Sequence, residues 1–176
     1  MKKAEKQPVK RGGKRNRAIR VVSITSGKGG VGKTNIAANM AYILSKMGKK
    51  VLLVDADAGL ANVDVVLGIT SEYNLQHVLS GEKRLPDVIV EAPGGFKILP
   101  AASGIQSMAE LSKGQKLTLL EELNDLNEDL DFVLIDTAAG IAGNVMYFNM
   151  VANEIIVVVT PDPTSLTDAY ALIKVM

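Results

Sequence analysis

Cysteine is absent from the 176-residue chain. That excludes a disulfide scaffold, a thiolate metal site, a cysteine nucleophile and an iron–sulfur cluster held by the protein. No apolar run approaches the ~18 residues that a membrane-spanning helix requires. The amino terminus carries charge with no apolar stretch behind it, so it does not read as a secretory signal. The one histidine, His77, lies between Gln76 and Val78 in a short helical stretch and reads as a surface or helix-packing residue rather than a catalytic one. What is present is ample apolar material: 47% of the residues, with a mean hydropathy of +0.18. A disordered chain is thereby excluded, and the length suits one domain that needs no covalent staples. A soluble, cytoplasmic globular protein is expected, with peripheral contact to a membrane left open.

The net charge of +1 conceals an uneven distribution. Residues 1–20 hold nine of the 20 Lys and Arg against Glu5 alone, which leaves 11 basic and 18 acidic residues in the remainder. A mildly acidic body thus carries a basic arm. Residues 1–18 lack apolar periodicity and read as a flexible segment, with the domain proper over 19–176. The arm suits contact with an acidic partner, nucleic acid or anionic lipid, and equally a solvated leader without a role. No aromatic residue is interleaved to stack bases, which makes specific nucleic-acid recognition the weaker option.

From Arg20 the pattern alternates strand and helix. Short β-branched or apolar runs at 21–25, 51–54, 96–99, 132–135 and 155–160 read as strands covered on both faces. Ile36, Met40, Ile43, Leu44 and Met47 recur at helical spacing, which puts Met40 and Met47 on the core face of a helix stopped by Gly48. A short helix is expected at 75–79, another on Leu119, Leu123, Leu126 and Leu130, and a third from Thr164 or Ser165. The alternation predicts an α/β fold of P-loop NTPase type, a mostly parallel sheet with helices on both faces and ligands at the carboxyl ends of the strands. Met146, Tyr147, Phe148 and Met150 suit either a partner surface or a buried helix face.

Three strand ends carry the chemistry. Gly27-Lys28-Gly29-Gly30-Val31-Gly32-Lys33-Thr34 fits G-x-x-x-x-G-K-[ST] between a strand and a helix, the context that pattern demands. Its glycines let the backbone wrap phosphates with N–H groups pointing inward. The helix amino terminus adds positive potential. Lys33 reaches the β- and γ-phosphates, and the Thr34 hydroxyl is placed for Mg²⁺. The second is Asp55-Ala56-Asp57, where carboxylates leaving a core strand can orient a metal-bound water (Asp55) and the attacking water (Asp57). The third is Asp136-Thr137-Ala138-Ala139-Gly140. Four apolar residues followed by Asp136 is the Walker B form that reaches Mg²⁺ through its waters, and Gly140 offers an unhindered amide toward the γ-phosphate. ATP and Mg²⁺ are therefore the expected ligands.

Lys28 sets this loop apart from an ordinary P-loop, since one nucleotide does not need a second lysine there. With Lys28 in place, residues 27–34 resemble the deviant Walker A motif of the MinD/ParA family of ATPases. Residues 55–64, Asp-Ala-Asp-Ala-Gly-Leu-Ala-Asn-Val-Asp, resemble that family's switch I, and residues 136–140 its Walker B and switch II. The resemblance implies that Lys28 crosses a face-to-face ATP dimer to the partner's phosphates, as an arginine-finger equivalent. It implies that Asp57 positions the hydrolytic water, that Thr34 and Asp136 hold Mg²⁺, and that Asp55 sits behind the metal's waters. Family members are slow ATPases used as switches, so Lys28, Lys33 and Asp57 are the expected catalytic residues of a Mg-dependent ATPase.

Asn35 after Thr34, together with the switch I wording, is most similar to the FlhG/FleN branch of flagellar-number regulators. The partners implied are a second copy in ATP and an FlhF-like GTPase or flagellar basal-body component. The branch's Asp-Gln-Ala…Leu-Arg activator motif is not found in this leader. The lack of cysteine separates the chain from the nitrogenase iron-protein and cluster-carrier branches, and its scattered tyrosines separate it from the bacterial tyrosine kinases. A DNA-partitioning ATPase and a non-hydrolysing nucleotide-binding module remain as alternatives. The family continues past the position of Met176 with the residues that grip adenine and, in this branch, a membrane helix. The resemblance thus implies that base selectivity and membrane binding lie outside these residues, whether in a natural short form or a fragment.

Overall fold

A computed structural model describes residues 18–57, 63–101, 112–126 and 130–176. The basic arm and positions 58–62 of the switch I resemblance lie outside the described residues. In chain order the elements are β1 (Arg20–Ser26), α1 (Lys33–Lys46), β2 (Val51–Ala56), α2 (Val63–Leu67), α3 (Leu75–Leu79), α4 (Leu85–Val88), β3 (Val90–Glu91), β4 (Lys97–Leu99), α5 (Lys113–Asp125), β5 (Phe132–Ala139), α6 (Gly143–Val151), β6 (Glu154–Val157) and α7 (Pro163–Val175). Among the described residues they build a six-stranded sheet in the order β3-β4-β2-β5-β1-β6. Every pairing is parallel except the antiparallel β3–β4 edge.

The strands read as unbroken apolar runs because each face of the sheet has its own core. Leu52 and Val54 of β2 with Val133 and Ile135 of β5 face α3, α5 and α6. Their neighbours Val51, Leu53 and Leu134 face α1 with Val22 and Ile24 of β1. This period of two splits consecutive apolar residues between opposite faces, as strands covered on both sides require. β1 lies between β5 and β6, and β5 between β2 and β1, so the carboxyl ends of β1, β2 and β5 emerge side by side.

The core face of α1 differs from the expectation. Its buried residues are Ala37, Ala38 and Ala41 with Lys33, whereas Ile36, Ile43 and Met47 are 37%, 56% and 67% exposed. Met40 and Leu44 are only partly buried against the core. Two stripes satisfy the helical period here, the larger residues at 36, 40, 43 and 47 and the small ones at 37, 38 and 41. Small side chains let the helix axis approach the sheet closely, and the bulky stripe is left on the flank. Helix α5 ends at Asp125 rather than continuing through Leu130, and Leu126 and Leu130 stay buried in the same core. β6 stops at Val157, although the Val158 N–H still donates to the Thr25 carbonyl at 2.8 Å, and it is not the covered strand expected: it lies at the edge of the sheet, with Ile155 exposed. In α6 the two readings divide by residue: Phe148 is buried and Met150 is 80% exposed.

His77 has a structural role. The Asn74 side-chain oxygen accepts the Gln76 N–H at 3.0 Å, and His77 Nδ1 accepts the Asn74 N–H at 3.2 Å, a reciprocal cap at the start of α3.

The alanine face yields a test. Ala41→Leu forces a larger group between α1 and the sheet and is expected to destabilise by about 1–3 kcal/mol in urea unfolding. Met47→Ala, on the exposed flank, is expected to stay within about 0.5 kcal/mol of the parent chain.

Candidate functional site

The site begins where β1 ends. Gly27 has no room for a side chain: a Cβ there would lie 2.2 Å from the carbonyl carbon of Asp168 in α7. Gly30 and Gly32 adopt φ of +75° and +95°, which residues with a Cβ rarely reach, and Gly32 is the N-cap of α1. Nothing lies within 4 Å of a Cβ built on Gly29, Gly30 or Gly32, so this stretch of backbone faces open space. The Ser26 hydroxyl donates to the Lys28 carbonyl at 2.6 Å and ties the entry of the loop. Val31 packs partly into the α1-side core, and Asn35 is exposed in the first turn of α1. Lys33, by contrast, is buried at 7% exposure.

Beneath the loop lie two carboxyls. Asp55 and Asp136 are register partners on adjacent parallel strands and each is 1% exposed. Burial pushes the Asp55 carboxyl up to about 7, with the Asp136 charge adding to the rise, although N–H donors from Asp57 and Val63 oppose it. Asp136 is pushed up to about 6, again by burial, with the Thr34 hydroxyl bond and the Lys33 charge pulling it down. Asp57 contributes a repulsive charge to both carboxyls, which places it in the same electrostatic neighbourhood. One oxygen of Asp136, Oδ1, is buried without a hydrogen-bond partner.

A buried carboxylate oxygen with no donor, beside a threonine hydroxyl and a buried lysine, suits a hydrated divalent cation next to a polyphosphate. Thr34 and Asp136 are the residues that could hold it, with Asp55 behind them. The described residues contain no cluster of three or more His, Cys, Asp or Glu able to hold a metal by itself. Two carboxyls and one hydroxyl match a cation that takes its remaining ligands from water and phosphate.

Two expected phosphate donors are engaged elsewhere. The Gly140 N–H, expected to be free, donates to the Ser26 carbonyl at 2.8 Å, with Gly140 at φ +95°. The cause is local: register between β1 and β5 shifts between Ile24 and Ser26, bringing Ser26 level with Ala139 and its carbonyl against the next amide. The Lys28 ammonium lies 3.0 Å from Asp162 Oδ1 and 2.7 Å from the Thr164 hydroxyl. Asp162 lies in Pro161-Asp162-Pro163, a segment that reads as a strand end and helix start and that the family resemblance puts near the nucleotide; Thr164 was expected only as a start of the helix. Asp162 followed by Pro163 is the N-cap and first-turn signature of α7.

The acid pair sets a pH dependence. A folded carboxyl raised above its unfolded value binds a proton that the unfolded chain has released, so stability is present at low pH and falls as pH rises between the two values. With Asp55 raised from 3.8 to about 7, the ligand-free chain is expected to lose thermal stability from pH 4 to pH 7. Asp55→Asn is expected to flatten that loss and to raise the melting temperature at pH 7.5; an unchanged slope in thermal scans would refute the assignment of the titration to Asp55.

The AAA domain family model matches residues 19–176. The antiactivator FleN of Pseudomonas aeruginosa is 49% identical over 158 residues, covering 90% of this chain and 56% of that protein. The flagellum site-determining protein YlxH of Helicobacter pylori is 42% identical, covering 88% of this chain and 52% of its own length. The chain therefore spans about half the length of these curated relatives. Among solved structures, the septum site-determining protein MinD complexed with Mg-ADP from Pyrococcus horikoshii superposes with a TM-score of 0.77 at 36% identity, covering 90% of this chain and 65% of that one. An extended match of this kind, on a six-stranded sheet of the MinD type, extends the likeness well beyond the three motifs. This chain belongs to the AAA domain family and is a homologue of the FleN and MinD proteins of MinD/ParA type.

Proposed function

We propose that this chain is an ATP-dependent switch that binds Mg-ATP at residues 27–35, hydrolyses it slowly, and pairs with a second copy in the ATP state. The observation that carries the reading is the unpartnered Asp136 Oδ1, buried beside the Thr34 hydroxyl and close to Lys33. A carboxylate oxygen out of water with no donor is unfavourable unless a cation arrives. The relatives point the same way, one by its bound Mg-ADP and others by their regulatory names.

Each residue has a part set by its place. Backbone N–H groups of Gly29 to Thr34 surround the phosphates, helped by the start of α1. Lys33, largely removed from water, offsets phosphate charge more strongly than an exposed lysine would. Thr34 and Asp136 would hold the metal, with Asp55 behind them. When bound, Mg²⁺ supplies charge neutralisation on the phosphate oxygens. Asp57, at the mouth of β2, positions the water that attacks the γ-phosphorus. Lys28 of the second copy neutralises the charge that develops as the bond to ADP breaks. The name of YlxH, a flagellum site-determining protein, supports an output in flagellar regulation, exerted in this reading through protein partners, with an FlhF-like GTPase or a flagellar basal-body component as the class of partner.

Two substitutions separate binding from turnover. Lys33→Ala is expected to weaken Mg-ATP roughly 10- to 100-fold in calorimetric titration, the loss of a charged hydrogen bond in a buried site; unchanged affinity would sink the reading. Asp57→Ala is expected to keep ATP affinity within about 2-fold and to lower phosphate release roughly 100-fold, the usual contribution of a positioned base.

A further inference from the structure

Helix α6 is apolar along most of its length, yet one of its buried positions holds a carboxamide. Val145, Phe148 and Asn149 are its buried residues, Asn149 at 3% exposure. Asn149 Oδ1 accepts the hydroxyl of Ser23, itself fully buried in β1, at 2.6 Å. Just past the helix, Asn153 binds the same strand twice. Its Oδ1 accepts the Val21 N–H at 2.8 Å, and its own N–H donates to the Val21 carbonyl at 2.8 Å. The carboxyl end of α6 is therefore fastened to β1 at two points, Val21 and Ser23.

Stability is not what the Asn149 contact contributes. Asn149 Nδ2 is buried without a partner, and so is the hydroxyl of Thr25, two residues along β1 on the same face as Ser23. Each carries a desolvation cost that an apolar side chain in its place would avoid. A buried polar pair supplies something else, a single setting, because displacement strands both groups. Apolar contact has no direction, whereas the Ser23–Asn149 bond lengthened by about 1 Å is no longer a hydrogen bond.

The setting matters because of what the helix carries. Only Ile141 and Ala142 separate Gly140 from the first residue of α6, so a shift of the helix reaches the 136–140 segment through a very short connector. β1 in turn leads directly into the phosphate loop. The same strand thus holds both parts: Ser23 holds the helix, and three residues later the Ser26 carbonyl accepts the Gly140 N–H at 2.8 Å.

We propose that Asn149 is a positioning residue: anchored on Ser23, it fixes through α6 the place of Gly140 and its N–H relative to the phosphate loop. Asn149 touches no substrate. The consequence for turnover rests on the switch reading above, in which the Gly140 amide serves the γ-phosphate.

Hydrogen exchange of the full 176-residue chain without nucleotide reads the positioning directly. The Gly140 amide is compared with the amides of Leu134 and Ile135 inside β5, which open with the whole fold. In Asn149→Leu and in Ser23→Ala, Gly140 is expected to exchange roughly ten-fold faster relative to those two, the worth of about one net hydrogen bond. The double variant Ser23→Ala/Asn149→Leu separates setting from support. With neither partner left stranded, its urea midpoint is expected to return to about that of the parent chain, while Gly140 exchange stays fast. In Mg-ATP the double variant is expected to keep KM within about 2-fold and to lose roughly ten-fold in kcat, since residues 27–34 are untouched and only the amide at the γ-phosphate is misplaced.

Gly140 protection that recovers with stability in the double variant marks a purely structural contact and overturns the proposal. Protection that never falls in either single variant does the same. Should Asn149→Leu fail to fold, Ser23→Ala, which removes one oxygen, gives the exchange reading by itself. Lost protection with unchanged kcat overturns the link to turnover. If the parent chain neither binds nor hydrolyses ATP, it is the switch reading that has failed, and the exchange rates still decide whether Asn149 places Gly140.

Discussion

The arrangement depends on keeping two carboxyls, Asp55 and Asp136, out of water at the ends of neighbouring strands. Parallel pairing of β2 with β5 puts them in register, and the apolar residues that precede them on each strand bury them. Desolvation disfavours the charged form of both. Around this unfavourable core the chain gathers what compensates it: amides of Asp57 and Val63 on Asp55, the Thr34 hydroxyl and Lys33 charge on Asp136. The compensation stops short at one oxygen of Asp136. That shortfall is what gives the site its appetite for a cation.

Strands β1, β2, β4 and β5 and the loop at 27–34 were legible in the sequence because local signals agreed with the tertiary structure. Apolar runs ended in Gly, Pro or Asp, and the phosphate-loop spacing sat between a strand and a helix. The errors came where burial is decided by packing partners distant in sequence. On α1 two stripes of equal period compete, and only the closeness of the sheet selects Ala37 and Ala41 over Ile43 and Met47. Helix α6 is apolar almost throughout, Val145, Met146, Tyr147 and Phe148 in succession, so periodicity could not reveal it. The two-residue strand β3 is held by antiparallel pairing to β4 across a turn at Gly94 and Gly95, which no run of its own length announces.

The site was legible in its residue types and less so in their connections. Sequence alone marks Lys28 and Gly140 as donors for phosphate, since a lysine and an unhindered amide suit an anion. It cannot show that both are occupied by acceptors of the same chain, the carboxylate of Asp162 and the carbonyl of Ser26. Lys28 and Asp162 are 134 residues apart, so their meeting is a property of the β1–β6 pairing that brings α7 over the loop. The geometry thus holds two phosphate donors, the Lys28 ammonium and the Gly140 N–H, on acceptors of the same chain, while one oxygen of Asp136 is left without a donor.

One backbone contact has a mechanical meaning. At Gly27 the main chain of the phosphate loop touches the main chain of α7 so closely that even a methyl group would collide with Asp168. Side chains can absorb displacement by changing rotamer, but two backbones in contact cannot. The root of the loop and the middle of α7 therefore form a joint without slack, like two gears already in mesh. Any residue larger than glycine at position 27 would have to push the root of the loop and α7 apart.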